Sequence, residues 1–383
     1  ATWTAWDGTS EITYDANNTA YVYLAGDVTR NVTLDIKAGY TLYLCLDGHS
    51  MTSSATNKEV IYARNGANFI LCDCTGGGKI THSPNVTGRG VRVSEGGFNK
   101  ASFTMYGGEI SGNHGGDGAG IETQNGTVTM YGGTISDNHV DAASYYGGGG
   151  VCAHSGGRFT MYGGTISNNE STIDGGGGVT VWGGGLVTIA GGTISGNKAA
   201  TEDGGGIYTN GTLTISGNSV IENNEAGNGG GVFYYGPYSS MTISGSAKIA
   251  DNTATGNGGG VYFGGDTFSI SGGVEINSNT KNSANNNVYL PDKKSITVAG
   301  ELTGSNPIGV TTEKTPDASN YVRIASGSKN YAAPEKFSYE NDSTPVSAII
   351  SQNSSTADLV VCKHNLTQTW SSDSFSHWHE CSI

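Results

Sequence analysis

The sequence predicts an all-β protein whose fold class is a right-handed parallel β-helix, a solenoid of about ten coils with three faces per coil and end caps. Three observations lead to this prediction. The motif Ile-x-x-Asn recurs seven times between residues 110 and 279, at intervals of 25, 31, 28, 27, 28 and 27 residues. Glycine provides 63 of the 383 residues, and many glycines form clusters between short apolar runs. Runs this short are typical of strands, because helices need ten or more residues.

The first element of each repeat is a run in which apolar residues alternate with polar or small ones. Examples are Phe103-Thr-Met, Val128-Thr-Met and Leu213-Thr-Ile. Such alternation predicts a strand with one buried face. Because a unit of about 27 residues cannot bury this face alone, we expect successive units to stack around a continuous core.

The second element is the run that contains Ile-x-x-Asn, and a glycine corner such as Gly132-Gly133 precedes it. The third element begins after a glycine cluster, as in Gly150-Val151. Tight corners between faces need positive φ angles, which glycine adopts without steric cost. The glycine excess therefore indicates turn geometry that repeats with every coil.

The asparagine of each repeat is predicted to be structural. Asparagine tolerates the left-handed conformation of a corner, and its amide can hydrogen-bond to the equivalent amide of the next coil. We therefore expect a ladder of stacked amides. Its members are Asn113, Asn138, Asn169, Asn197, Asn224, Asn252 and Asn279.

The repeat does not cover the whole chain, and its limits predict four segments. Residues 1–40 lack the glycine clusters and are expected to form an N-terminal cap and a first irregular coil. Residues 41–310 are the predicted parallel β-helix, residues 311–361 a C-terminal β cap or appendage, and residues 362–383 a Cys/His-rich tail. Caps are expected because open strand edges would otherwise pair with other chains.

The charge balance restricts the class of partner. The chain carries 19 basic and 33 acidic residues, which is a formal net charge of −14. This balance argues against nucleic acid and against anionic membrane surfaces as partners. The sequence has no run of eighteen apolar residues, so direct insertion into a membrane is not expected.

Two short signatures of the repeat resemble those of a known family. They are the Gly-Gly-Ile type, as in Gly205-Gly206-Ile207, and Ile194-x-x-Asn197. Over about residues 77–290 they are similar to the repeats of chlamydial polymorphic membrane proteins, which have Phe where this chain has Ile. The chain also looks like the pectin-lyase-like β-helices on the surface of gut Firmicutes. The resemblance implies an extracellular or cell-surface adhesin, whose partner is a host or microbial surface glycan or protein.

Aromatic residues on the predicted outer surface are the candidate ligand-binding residues. Strand alternation after the glycine clusters points Tyr208, Phe233 and Tyr262 outward in neighbouring coils, and Trp182 lies one coil earlier. Stacked aromatics can bind sugar rings or a protein surface. They can equally form a cross-strand ladder that only stabilises the sheet. The sequence leaves both alternatives open, and it also allows the solenoid to be a structural spacer or a filament subunit.

An enzyme, either a polysaccharide hydrolase or a lyase, is the competing hypothesis. Its candidate catalytic residues are Asp117, Asp174 and Asp203, each of which directly precedes a glycine cluster. Asp174 and Asp203 would lie about 5 Å apart in stacked coils, as paired catalytic carboxylates do. Against this, Asn228 and Asn257 occupy the same position in later coils, which favours a role in closing turns. Calcium at the Asp117 loop is a further hypothesis, from the acidic Gly-Asp pattern.

The C-terminal tail contains ligands of the type that zinc prefers. A zinc site, a disulfide between its two cysteines and an unformed module are the three alternatives. The candidate ligands are Cys362, His364, His377, His379 and Cys381.

Four other cysteines lie before the tail. Cys45 and Cys72 are 27 residues apart, one coil, and are expected to stack either as a disulfide or as free thiols. No partner is evident in the sequence for Cys74 or Cys152.

Overall fold

The structure is a computed structural model, and it describes residues 2–94, 99–141, 145–173, 175–199, 201–316, 321–327, 331, 334–340, 348–352, 358–363, 371–372 and 377–378. The protein is all-β with 1% helix, and its parallel sheets stack as a solenoid of about 10 turns. The predicted fold class is therefore confirmed.

Strands of successive coils lie above one another in four columns, numbered here in the order in which the chain enters them after a glycine cluster. Column 1 contains the strands that follow the glycine clusters of the repeats, together with the strands of other coils that pair in line with them. Its members are Leu34–Ile36, Ile61–Arg64, Val91–Ser94, Ile121–Gln124, Val151–His154, Val179–Val181, Ile207–Thr209, the first half of Val232–Ile243, the first half of Val261–Gly272, Val288–Leu290, Ile308–Thr312 and Phe337–Tyr339.

Column 2 contains the alternating strands that were predicted as the first element of the repeat. Its members are Thr4–Trp6, Thr19–Leu24, Thr41–Cys45, Asn68–Cys72, Ser102–Met105, Thr127–Met130, Arg158–Met161, Leu186–Ile189, Thr212–Ile215, the second halves of Val232–Ile243 and Val261–Gly272, Ile296–Leu302 and Val322–Gly327. Because columns 1 and 2 run together in the two twelve-residue strands, they form one large sheet.

Column 3 contains the strands of the Ile-x-x-Asn motif and forms a sheet of its own. Its members are Val28–Arg30, Met51–Ser53, Lys79–His82, Glu109–Ser111, Thr134–Ser136, Thr165–Ser167, Thr193–Ser195, Val220–Glu222, Lys248–Ala250 and Glu275–Asn277. Column 4, a third sheet, was not predicted, because each strand has only two residues and its parallel strands follow directly after the motif asparagines. Its members are His114–Gly115, His139–Val140, Glu170–Ser171, Lys198–Ala199, Glu225–Ala226, Thr253–Ala254, Thr280–Lys281 and the antiparallel Ala284–Asn285.

The core is built from identical positions of successive coils. The isoleucines of column 3 pair in register, as Ile110 does with Ile135 and Ile135 with Ile166, and these three side chains are fully buried. Burying an isoleucine side chain stabilises the folded state by about 1.5–3 kcal/mol. Repetition of this contact along the axis explains why about 27 residues per coil suffice without helices or large loops.

The glycines serve two different purposes in the structure. Gly133, at the corner between columns 2 and 3, has a φ of +89°, as the sequence analysis expected. Gly150, in a glycine cluster, has no such backbone constraint. A Cβ there would lie 2.6 Å from the carbonyl oxygen of Gly178 in the next coil. The clusters therefore also permit adjacent coils to approach closely, a reason that the sequence analysis did not give.

The parallel pairing extends close to both ends of the described chain. Thr4–Trp6 already pairs in parallel with Thr19–Leu24, and Phe337–Tyr339 pairs in parallel with Ile308–Thr312. Antiparallel strands follow, at Ala348–Gln352 and Leu359–Lys363, and a 3-10 helix spans Pro334–Lys336. Ser371–Ser372 pairs antiparallel with His377–Trp378. The four segment boundaries drawn from the sequence remain predictions.

Candidate functional site

The seven motif asparagines form a continuous ladder inside the corner between columns 3 and 4. In each rung the side-chain Nδ2 donates to Oδ1 of the next asparagine over 2.9–3.0 Å. The backbone N–H of the same residue donates to that oxygen as well, over 2.9–3.1 Å. All seven side chains are buried. Every polar atom of the ladder amides is thus engaged within the corner, so the ladder supports the fold and presents nothing to a ligand.

The ladder is longer than the sequence predicted. At one end Asn113 Oδ1 bonds to the ring of buried His82 over 2.8 Å. At the other end Asn279 donates to Oδ1 of Asn287, and the carboxylate of Glu340 accepts from Asn287 Nδ2 over 2.8 Å. His82 is a buried cap of the ladder, because its long imidazole reaches from column 3 across the corner to Asn113.

Aromatic side chains cover the outer surface of column 1. We use the term aromatic row for Trp182, Tyr208, Phe233, Tyr262 and Tyr289. Neighbouring rings stack with centroid separations of 5.4, 5.4, 4.8 and 5.3 Å and interplanar angles of 20–28°. The structure thus brings together the four predicted binding aromatics and adds Tyr289 from the next coil.

The stacking changes what the aromatic row offers to a ligand. The face of each inner ring is covered by the ring of the next coil, so only ring edges point outward. Phe233, predicted as an exposed contact residue, is only 7% exposed, because Tyr208 and Tyr262 cover both of its faces. This burial favours the alternative in which Phe233 packs within a stabilising ladder, and ligand binding by the predicted aromatics stays a prediction.

A second outward position of column 1 has an open surface. This position directly follows the paired residues Val181, Thr209 and Tyr234 of three successive coils. It is occupied by Trp182, Asn210 and Tyr235. Trp182 and Tyr235 lie two coils apart, about 9–10 Å along the axis. The smaller Asn210 between them leaves an opening. Beyond Tyr235 the next residue at this position is Gly264, which has no side chain.

The opening is a groove of about 360 Å³, which we call the aromatic groove. This volume is at the lower end of the range for small-molecule sites. Tyr235 is 58% exposed, which makes it the most accessible ring of this surface. The backbone N–H of Gly183 donates to Asn210 Oδ1 over 3.2 Å, so the Nδ2 group of Asn210 remains as a donor. The full lining is Trp182, Gly183, Gly184, Tyr208, Asn210, Tyr235, Gly236 and Pro237.

A buried ion cluster occupies the outer surface of column 1 in the earlier coils. Glu122 pairs with Arg89 at 3.1 Å and with Arg92 at 3.0 Å, and Arg92 also pairs with Glu59 at 3.2 Å. His154 Nε2 contacts the second oxygen of Glu122 at 3.0 Å. The Glu122 and His154 side chains are only 5% and 7% exposed. Two guanidinium groups and an imidazole therefore surround one buried carboxylate.

The ion cluster and the aromatic groove are neighbours. Tyr146 stacks on His154 with a centroid separation of 4.8 Å and lies 6.0 Å from the Trp182 ring. The cluster was not predicted from the sequence, because its members are about thirty residues apart and carry no motif. The strand register does bring the charged residues together, because Arg92 and Glu122 are paired residues of adjacent column 1 strands. An alignment of the repeats on their glycine clusters matches these two positions in the sequence.

The proposed catalytic aspartates do not come together as a pair among the described residues. Asp117 and Asp203 lie three coils apart, about 14 Å, beyond the separation of catalytic carboxylates. The Asp117 carboxylate accepts from the backbone N–H groups of Tyr145 and Tyr146. Asp203 accepts from Asn228 at 2.9 Å, and burial raises its pKa above the ordinary value. Asp174 lies outside the described residues, so its pairing with Asp203 stays a prediction, as does calcium at the Asp117 loop.

The cysteines give a mixed outcome. Cys45 and Cys72 are paired residues of adjacent coils, as expected, and both are free thiols. Cys74 does have a partner, contrary to the sequence analysis, because its Sγ lies 2.9 Å from that of Cys45. Burial and the neighbouring sulfurs raise the pKa of Cys72 to about 12, so this thiol is a poor nucleophile. Fully buried Cys152 is the paired residue of Glu122 in the next coil, so it lies beside the ion cluster.

The tail site stays a prediction. His364, His379 and Cys381 lie outside the described residues, and the side chains of Cys362 and His377 do as well. None of the described helices is long and apolar enough to cross a membrane.

No protein family, curated protein or solved structure matches this chain. What the structure supports is therefore the parallel β-solenoid itself, and the resemblance to polymorphic membrane proteins and pectin-lyase-like proteins rests on the short repeat signatures alone.

Proposed function

We propose that the protein is an extracellular, cell-surface solenoid that binds a neutral glycan in the aromatic groove. The observation that carries this proposal is the placement of Trp182 and Tyr235 on either side of Asn210. Aromatic walls with an amide donor between them suit a sugar ring, which has apolar C–H faces and hydroxyl groups at its rim.

The choice of a neutral sugar follows from charge. All eight residues that line the groove are uncharged. The formal net charge of the chain is −14, so an acidic polysaccharide would be repelled rather than attracted. A neutral ligand also accords with the absence of any free cation in the lining to pair with a carboxylate or sulfate group.

The groove is favoured over the rest of the aromatic row because of the stacking. The inner rings of the row stack face to face on one another, whereas Tyr235 is paired with Gly264 and its ring stays exposed. The row gives the groove a rigid wall, since Trp182 is held against Tyr208 at 5.4 Å. A preorganised wall reduces the entropy that binding must offset. The cell-surface placement is supported by the repeat signatures.

The test is a binding screen against neutral and acidic oligosaccharides, followed by titration of the best neutral ligand. Tyr235→Ala and Trp182→Ala are each expected to weaken binding by at least about tenfold, which corresponds to about 1.4 kcal/mol. Tyr235→Phe keeps the ring and is expected to bind nearly as the wild type does.

The control is Tyr131→Ala. Tyr131 is a comparably exposed ring, at 49%, but it stacks between Tyr106 and Tyr162 at the corner between columns 2 and 3. Its removal is expected to leave binding unchanged. Unchanged affinity in both groove variants, or a preference for acidic oligosaccharides, would overturn the proposal.

A further inference from the structure

Three cysteine side chains meet at the corner after column 2, at the N-terminal end of the solenoid. Sγ of Cys45 lies 2.9 Å from Sγ of Cys74, and the ligand atoms of Cys45, Cys72 and Cys74 all lie within 4.8 Å of one another. This group is separate from the tail ligands and from the aromatic groove, which begins more than three coils further along the solenoid.

The fold places each of these sulfurs for a different reason. Cys45 and Cys72 end paired strands, so their Cα atoms lie one strand spacing apart, about 4.8 Å. Cys74 follows after a single residue, Asp73, where the chain turns toward column 3. The turn brings the third sulfur back onto Cys45. The three thiols therefore come from two coils and converge at one point.

Asp73 holds the corner in this shape. Its carboxylate accepts from the backbone N–H of Gly48 over 2.7 Å and from that of Gly78 over 2.8 Å. These two bonds tie the corner of one coil to the corner of the next, on either side of the cysteines. They fix the backbone that carries Cys72 and Cys74, the two neighbours of Asp73 in the chain.

The three cysteines differ in their exposure to solvent. Cys45 is buried, Cys72 is partly buried and Cys74 is exposed. The group is thus shielded from solvent on the Cys45 side and faces solvent on the Cys74 side.

We propose that Cys45, Cys72 and Cys74 bind one thiophilic metal ion, Zn²⁺, with a water molecule in the fourth position on the Cys74 side. Thiolates are the ligands that Zn²⁺ takes in protein sites, at Zn–S distances of about 2.3 Å. In a tetrahedral arrangement these bonds place the sulfurs about 3.8 Å apart. The Cys45 and Cys74 sulfurs lie 2.9 Å apart and all three sulfurs lie within 4.8 Å of one another, so small rotations of the side chains suffice to reach this separation. On binding, the three S–H protons leave to solvent and three S–Zn bonds form.

The experiment uses the full chain with the tail ligands replaced by Cys362→Ser, Cys381→Ser, His364→Ala, His377→Ala and His379→Ala. Zinc is titrated against a chromophoric chelator after reduction, and bound metal is counted per chain. One equivalent of zinc is expected. Cys72→Ser is expected to weaken zinc binding by at least about 10–100-fold, the loss that follows removal of even a supporting partner. Cys152→Ser, a buried cysteine outside the group, is the matched control and is expected to bind as the parent does.

A disulfide between Cys45 and Cys74 is the competing arrangement, and the Cys72 variant separates the two. A disulfide does not need Cys72. It protects two thiols from a thiol reagent, and this protection is reversed by a reductant but not by a chelator. Zinc protects three thiols, and chelator reverses the protection. A reduced protein that binds less than a tenth of an equivalent of zinc, or an unchanged affinity in Cys72→Ser, would overturn the proposal. These outcomes are independent of glycan binding in the aromatic groove.

Discussion

Asn169→Ala in the middle of the ladder should destabilise the protein far more than its small size suggests. The Asn169 side chain is fully buried. Its Oδ1 accepts from the backbone N–H of Asn138 over 3.1 Å and from Asn138 Nδ2 over 2.9 Å. Its Nδ2 donates to the carbonyl oxygen of Ile135 and to Asn197 Oδ1, each over 2.9 Å. Alanine removes all of these bonds at once.

The magnitude follows from the groups that lose a partner. The backbone N–H of Asn138 is left without an acceptor, and one N–H of its Nδ2 group loses Asn169 Oδ1 as well, whereas Asn197 Oδ1 keeps the backbone N–H of residue 169. A buried polar group left unsatisfied costs about 1–3 kcal/mol. Two such groups give an expected loss of about 2–6 kcal/mol, compared with a total of about 5–15 kcal/mol for an ordinary domain.

The assay is equilibrium urea unfolding followed by far-UV circular dichroism, with hydrogen exchange of the amides in the neighbouring coils. Exchange is included because a solenoid can open locally before it unfolds as a whole. The matched control is Asn168→Gly. Asn168 is the exposed neighbour, with a φ of +54° that glycine adopts easily, so a change within about 0.5 kcal/mol is expected. A loss below about 1 kcal/mol in Asn169→Ala, or equal losses in both variants, would refute the reasoning.

Two further predictions concern buried carboxylates. Burial raises the pKa of Asp203 above its ordinary value of 3.8. The folded state therefore holds this proton more tightly than the unfolded state does. As a result, the stability of the folded state falls as the pH rises through the raised pKa. Asp203→Asn, which copies the asparagines of later coils, should therefore raise the free energy of unfolding at pH 7–8 by less than about 1 kcal/mol. The gain should vanish below pH 3.8. A gain that is the same at all pH values would contradict this origin. Glu122→Ala leaves its two arginine partners, whose side chains are 25% and 29% exposed, beside each other without their shared carboxylate. In urea unfolding this variant should lose about 3 kcal/mol of unfolding free energy. The control Glu170→Ala removes a carboxylate that is 39% exposed and should lose less than about 0.5 kcal/mol. Similar losses in the two variants would show that the ion cluster contributes little.

The repeat predicted most of the fold because its information is local. Isoleucine at a fixed interval, alternation within short runs and glycine at corners each determine one strand or turn, and stacking multiplies the result. The asparagine ladder followed from the same period. Its caps did not, because His82 and Glu340 lie outside the motif and reach the ladder only through the folded corner.

The site was less predictable, because it depends on which outward side chains meet across coils. Alternation alone placed Phe233 on the outer surface, but burial of that ring depends on its two neighbours and their rotamers. The link between Cys74 and Cys45 depends on a one-residue turn, and the groove depends on Asn210 and Gly264 being small where other coils carry rings.

The sequence by itself determined that the chain is a parallel solenoid, where its coils begin and which side chains enter the core, since these follow from periods of two residues and of about 27 residues. Only the tertiary structure decided which exposed residues act together. Loops of unequal length separate the coils, and strand pairing across them sets the register that joins Arg92 to Glu122 and aligns Trp182, Asn210 and Tyr235.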